Sequence, residues 1–131
     1  MFFSIDTNSD VAVYEQIVRQ VQFAIADGTL VGGQMLPSVR QLSREITLNP
    51  NTVARAYREL QERNILEPLR GRGMVVRRDA VDACRQSRDQ IVQDELASAI
   101  DNALAGGMTA KELQDLFSQQ LQMRHPNNSR K

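Results

Sequence analysis

From Val11 to Asp27 the apolar residues Val13, Tyr14, Ile17, Val18, Val21, Ala24 and Ile25 recur at threes and fours. That spacing predicts an amphipathic helix with one buried face, a core element that braces its neighbours. Gly28 comes where such a helix stops through a left-handed residue. Ahead of the helix, residues 2–5 (FFSI) are apolar and short, either an edge strand or a segment packed beside the helix, and DTNSD is polar and turn-like. Val31, Gly32 and Gly33 read as a loop, and Met35-Leu36 as a short extended piece leading to Pro37.

Residues 37–63, PSVRQLSREITLNPNTVARAYRELQER, carry two helical patterns separated by TLN. Ser38 stands three before Gln41, the spacing of a capping box, and Val39, Leu42 and Ile46 share one face. Asn49 suits an N-cap, and Pro50 suits the first helical position, where its missing N–H would have no partner anyway. Val53, Ala56, Tyr57 and Leu60 form the apolar stripe of the second helix; Asn51, Thr52, Arg55 and Arg58 fall away from it. The pair is a helix-turn-helix whose second helix offers Asn, Thr and Arg to base edges and phosphates. An ordinary helical hairpin with a solvated face is the plainer reading of the same residues.

After Asn64, two short extended runs, Ile65–Leu69 and Met74–Arg77, flank RGRG at residues 70–73. Gly71 and Gly73 permit a hairpin turn that projects Arg70 and Arg72 from its tip. A basic hairpin after a helix-turn-helix is a wing, of the kind that lies along phosphates or enters the minor groove. A nucleotide-phosphate loop is disfavoured, because no helix and no Lys-Ser/Thr pair comes after it.

A long helix is expected over Asp79–Ala105, with Ile91, Val92, Leu96, Ile100, Ala103 and Leu104 at helical spacing and Gly106-Gly107 as its stop. Thr109 with Glu112 is a second capping box, and Met108 with Leu113 has the spacing of a hydrophobic staple. The next helix is expected to bury Leu113, Leu116, Phe117 and Leu121 before a polar tail at residues 126–131. Two amphipathic helices leave an apolar face open. A symmetric dimer would cover it through Ile91, Leu96, Ile100, Leu104, Leu113, Leu116 and Phe117; folding back on the N-terminal core is the alternative.

Net charge is zero over 131 residues, but its distribution is uneven. Residues 1–36 carry a net of −3, residues 37–78 nine Arg against four Glu for +5, and residues 79–131 a net of −2. All the basic charge of the middle is Arg, the side chain suited to bidentate contacts with phosphate and guanine. A local basic patch is the footprint of DNA binding even in a neutral chain. The single Cys84 excludes an internal disulfide and a cysteine-based zinc site, and His125 has no neighbour to make a metal site. One His near the end cannot supply a Ser/His/Asp constellation, so no catalysis and no cofactor are expected. No apolar run approaches the roughly 20 residues of a membrane span. The start, MFFSIDTNSD, lacks the basic and apolar regions of a secretory signal, which fits the cytoplasm.

The segments VYEQIVRQVQFAIADGTL, LPSVRQLSREITLNPNTVARAYREL and GRGMVV, within residues 11–78, resemble the winged helix-turn-helix domain of the GntR family of bacterial transcription factors. About 53 residues come after the wing, fewer than a large effector domain needs, and the short two-helix tail looks like that of the YtrA subfamily, which chiefly dimerises. Arg40 matches an arginine that contacts DNA in the family. Asn49, Asn51 and Thr52 match the start of the recognition helix, Arg55 lies one turn on, and Gly71, Arg72 and Gly73 match the wing tip. Some relatives carry arginine where Pro50 and Ala54 stand here, so base preference does not transfer, and Arg55 is expected to take over part of that work. Ala12 replaces a proline frequent in the subfamily, which affects only how the first helix starts.

The expected architecture is therefore mainly α: a winged helix-turn-helix domain (residues 1–78), a two-helix dimerisation segment (79–125) and a disordered tail (126–131). The expected function is a sequence-specific DNA-binding transcriptional regulator, a repressor acting as a homodimer on a two-fold symmetric operator. Arg40, Arg44, Arg70 and Arg72 would hold phosphates, and Asn51, Thr52 and Arg55 would read bases. A small hydrophobic effector or metabolite between the subunits is one expectation for regulation. The rival readings are a protein-interaction module and a non-specific DNA-binding protein.

Overall fold

The structure is a computed structural model that describes residues 3–69, 71 and 73–126. Apart from residue 126, the tail expected at 126–131 lies outside the described residues. The elements run α1 (Val13–Ala26), β1 (Met35–Leu36), α2 (Val39–Glu45), α3 (Pro50–Glu62), β2 (Leu66–Leu69), β3 (Gly73–Val76), α4 (Val81–Ala105) and α5 (Ala110–Arg124). They group into two compact units, residues 1–90 and residues 91–131.

In the first unit α3 packs on α1 and α2. Ile17, Val18 and Val21 of α1, Leu42 of α2, and Val53, Ala56, Tyr57 and Leu60 of α3 are buried in one core. From residue 3 onward the N-terminal segment packs along α1 and forms no strand. The Gln20 side chain accepts from the Ser4 N–H at 2.9 Å and donates to the Ser4 carbonyl at 2.7 Å. Gln16 does the same for Asp6, at 2.8 Å each way, and also donates to the Val11 carbonyl. Two glutamines thus satisfy backbone groups that a strand would have left to a neighbour.

Helix ends follow from side-chain chemistry. The Ser38 hydroxyl accepts from the Gln41 N–H, half of the expected capping box. The Asn49 side chain accepts from the Asn51 N–H at 2.8 Å, with Pro50 at the first helical position. At the far end of α3 the Ile65 N–H reaches the Leu60 carbonyl and the Asn64 N–H the Gln61 carbonyl, with Asn64 left-handed at φ 61°. This closure satisfies carbonyls the helix leaves open. The turn after α2 is built alike, through a bond from the Leu48 N–H to the Ser43 carbonyl, but there Thr47 takes the left-handed place at φ 53°. A β-branched residue is strained in that region.

The sheet is antiparallel in the order β1-β3-β2. Met35 pairs with Val75 and Leu36 with Met74, while Leu66 through Leu69 pair with Val76 through Gly73. The hairpin is thus widened by a third strand that leads directly into α2. β2 lies at the edge, which is where Pro68 can sit without removing a ladder bond. Gly73, at φ +102°, approaches β1 closely: a Cβ there would stand 3.2 Å from the Leu36 carbonyl oxygen.

The boundary expected at residues 78/79 lies further along, because α4 begins inside the first core. Ala80 and Cys84 are buried with the α1–α3 residues. The Arg85 Nε donates to the Ala26 carbonyl at 3.1 Å, satisfying a carbonyl at the end of α1. Beyond Gln90, α4 ends at Gly106-Gly107 with bonds from Met108 N–H to Ala103 and Gly107 N–H to Leu104, and Gly107 at φ +94°. Thr109 and Glu112 then form both halves of a capping box. The expectation that α5 buries Leu113, Leu116, Phe117 and Leu121 is corrected. No residue of α5 is buried; Leu113 is half-buried, and the other three are exposed. On α4, Val92, Leu96, Ile100 and Leu104 are exposed as well.

Thr47→Gly should raise stability by about 0.5–1 kcal/mol, as relief of the left-handed strain outweighs the entropy glycine adds to the unfolded chain. Denaturant melts of the two proteins check this, and a lower midpoint for the variant would contradict it.

Candidate nucleic-acid interface

Burial of Val53, Ala56, Tyr57 and Leu60 fixes which side of α3 faces outward. Asn51, Arg55 and Arg58 are exposed on that side, and Thr52 is half-buried at its margin. Asn49 is exposed, but its side-chain oxygen is engaged by the cap, so its amide N–H groups are what it offers. Arg40 and Arg44 are exposed on α2.

The two flanks of α3 differ. Towards α1, the Arg55 guanidinium lies over the Tyr14 ring, 3.8 Å from its centroid. Towards the sheet, a shallow groove is lined by Ser38, Ala54, Arg58, Gln61 and Gly73. That groove brings the start of α2, the outer face of α3 and the base of the hairpin together. Its floor is fixed by Tyr57, whose hydroxyl donates to the Pro37 carbonyl at 2.7 Å. Burial pushes the Tyr57 pKa well above the ordinary phenol value, so the group stays a neutral donor.

Gly71 lies in the hairpin turn at φ +71° and is exposed, and Gly73 opens β3. Arg70 and Arg72 lie outside the described residues.

Pairing separates the arginines into two groups. Arg63 bonds Glu59 at 3.0 Å and Arg77 bonds Asp79 at 3.1 Å. The Asp79 carboxylate raises the Arg77 pKa, and the Arg77 guanidinium in turn holds the Asp79 carboxyl below the usual carboxylate range. The Arg78 guanidinium lies against Gly33. Arg40, Arg44, Arg55 and Arg58 make no ion pair among the described residues. All four are on α2 and α3. Guanidinium groups without a carboxylate partner suit a polyanion, whose phosphates can pair with them.

Ile91 is half-buried, and Leu96, Ile100 and Leu104 are exposed on α4, in line with Val92. On α5, Phe117 is 53% and Met123 66% exposed. The periodicity that marks these positions is real, but most of its apolar residues remain exposed among the described residues.

Sequence reasoning missed Tyr14 as a partner of Arg55. It lies in the apolar stripe of α1, and nothing in the order of residues links positions 14 and 55. It also missed that Arg85 closes α1, for the same reason.

Cys84 is buried, and burial pushes its thiol up to about 11. Among the described residues no group of three or more His, Cys, Asp or Glu is placed to hold a metal ion, and no helix is long and apolar enough to cross a membrane.

Residues 13–76 match the profile of the bacterial regulatory proteins of the gntR family. The HTH-type transcriptional repressor YtrA of Bacillus subtilis is 35% identical over 111 residues, 85% of each chain. Among solved structures, YtrA from Sulfolobus acidocaldarius, a GntR-family transcription factor, is 31% identical with a TM-score of 0.58, over 74% of this chain and 99% of that one. A GntR family transcriptional regulator from Listeria monocytogenes is 26% identical with a TM-score of 0.68, over 86% of this chain and 97% of that one.

At pH 8 the native protein should leave Cys84 unreacted by a thiol-specific disulfide reagent, and denaturant should expose it fully. Rapid labelling of the folded chain would contradict the burial described.

Proposed function

The chain belongs to the GntR family of bacterial regulatory proteins, and we propose that it represses transcription as a homodimer bound to a two-fold symmetric operator. A winged helix-turn-helix transcriptional regulator binds DNA through the exposed side of its second motif helix. The observation that carries the reading is the sorting of arginines. Those on α2 and the outer side of α3 have no acidic partner among the described residues, while Arg63 and Arg77 are paired.

In this reading Arg40 and Arg44 hold phosphates, joined by Arg70 and Arg72 from the wing, with Gly71 and Gly73 letting the backbone come close. Asn51, Thr52 and Arg55 address base edges, and Asn49 anchors the helix start from which they project. Phosphate contacts give affinity and register; base contacts give sequence preference.

The second copy is supported by the open apolar residues between positions 91 and 124. Val92, Leu96, Ile100 and Leu104 on α4, with Leu116 and Phe117 on α5, are all exposed. Such surface is costly in water and is covered most simply by the same surface of another copy. Two copies would present two recognition helices at half-sites about 34–36 Å apart. No cofactor enters this scheme, and an effector, where one acts, would bind at the subunit junction and alter that spacing. The family and its members' repressor names support a cytoplasmic regulator rather than an enzyme.

The test is an anisotropy titration against a duplex selected from random DNA, with a scrambled duplex as control. Arg55→Ala should weaken binding to the selected duplex by about 1–3 kcal/mol and weaken binding to the scrambled one less. Equal losses on both would make Arg55 a phosphate contact. Phe117→Glu should shift the protein to monomer in light scattering and lower operator affinity; a variant that remains dimeric would remove α5 from the interface.

A further inference from the structure

Tyr14 lies in the first turn of the bracing helix α1, and Arg55 lies on the exposed side of α3. Nothing in a helix-turn-helix requires the two to meet. Yet the Arg55 guanidinium sits over the Tyr14 ring at 3.8 Å, within the range where a cation is drawn to an aromatic face. Tyr14 is half-buried and packs against the core, which holds its ring in place. Arg55 makes no ion pair among the described residues, and the ring is the partner that restrains it.

We propose that Tyr14 is a positioning residue for DNA recognition, its ring holding the Arg55 guanidinium in the orientation in which it meets the duplex. The proposal rests on the reading of Arg55 as a DNA contact. The physics is selective. Stacking occupies the face of the guanidinium and leaves its N–H edges available, so the same group can lie on a ring and still donate to an acceptor. An unrestrained arginine loses rotamer freedom on binding; one already held loses less, and affinity gains the difference. Because α1 carries the ring, the first helix of the domain contributes to reading without touching a base. A lysine would keep the charge but lacks the planar group that can lie flat on the ring and still donate from its edges.

The experiment is a double-mutant cycle on the full chain, read as Kd for the selected duplex, with thermal melts as the folding control. Tyr14→Leu keeps apolar bulk against the core and removes the aromatic face. It should raise Kd about three- to fivefold, the equivalent of about 0.6–1 kcal/mol. Tyr14→Phe keeps the ring and should bind as the wild type does. In the Arg55→Ala background, Tyr14→Leu should have no further effect. Equal losses from Tyr14→Leu with and without Arg55 would overturn the proposal, since the ring would then act on DNA or on stability by itself. An unchanged Kd for Tyr14→Leu would overturn it too. If Tyr14→Leu does not fold, pentafluorophenylalanine at position 14 keeps the shape and reverses the charge on the ring face. It should raise Kd similarly, and wild-type affinity there would overturn the proposal. Arg55→Ala at wild-type Kd is a different failure: it removes Arg55 from the DNA contacts, and the positioning role of Tyr14 falls with it.

Discussion

The packing of α3 on α1 is the contact on which the first unit depends. Val53, Ala56, Tyr57 and Leu60 share a core with Ile17, Val18 and Val21. Each fully buried aliphatic side chain contributes about 1.5–3 kcal/mol. Rotating α3 to present another side would bring those residues to water and carry Arg55 and Arg58 into the core, where unpaired charge is far more costly. The hydrophobic stripe therefore determines which side of α3 is exposed, and the arginines face outward as a consequence. Tyr57 adds a directional tie, since its hydrogen bond to the Pro37 carbonyl links α3 to the entry of α2.

Much of this architecture was legible in the residues. The stripes of α1 and α3, the Asn49-Pro50 start, the Asn64 stop, the hairpin around residues 70–73 and the Thr109 capping box are local patterns, and each is present. What the residues did not disclose are contacts between positions far apart in the chain. β1 joins the hairpin as a third strand, the first turns of α4 belong to the first core, and Arg55 lies on Tyr14. The left-handed Thr47 escaped for a different reason: a β-branched residue is a poor choice there, and the geometry of the turn overrode local preference. On α5 the periodicity of Leu113, Leu116, Phe117 and Leu121 gave the helix correctly but not its cover, because an apolar stripe specifies a need for burial and not the surface that meets it.

Among candidate site residues, side-chain type and helical phase were enough to find the exposed set on α2 and α3. They were not enough to sort them. Nine arginines between residues 37 and 78 look alike in sequence, and only the fold separates the ones held by Glu59 or Asp79 from those left open. A neutral chain can carry a locally basic surface when its acidic groups pair with some of its arginines and not with others.

The place of β3 between β1 and β2 has a consequence for how such a domain changes over time. β2 and β3 pair with each other up to Leu69 and Gly73, and β1 holds Met74 and Val75 from the other side of β3, so the register there is fixed by pairing and not by the length of the tip. Residues inserted between those two positions would lengthen the projection while leaving the ladder intact, at an entropic cost that rises only with the logarithm of the added length. Reach along the duplex and stability of the fold are thereby separable traits, and a lineage can lengthen or shorten the one without renegotiating the other.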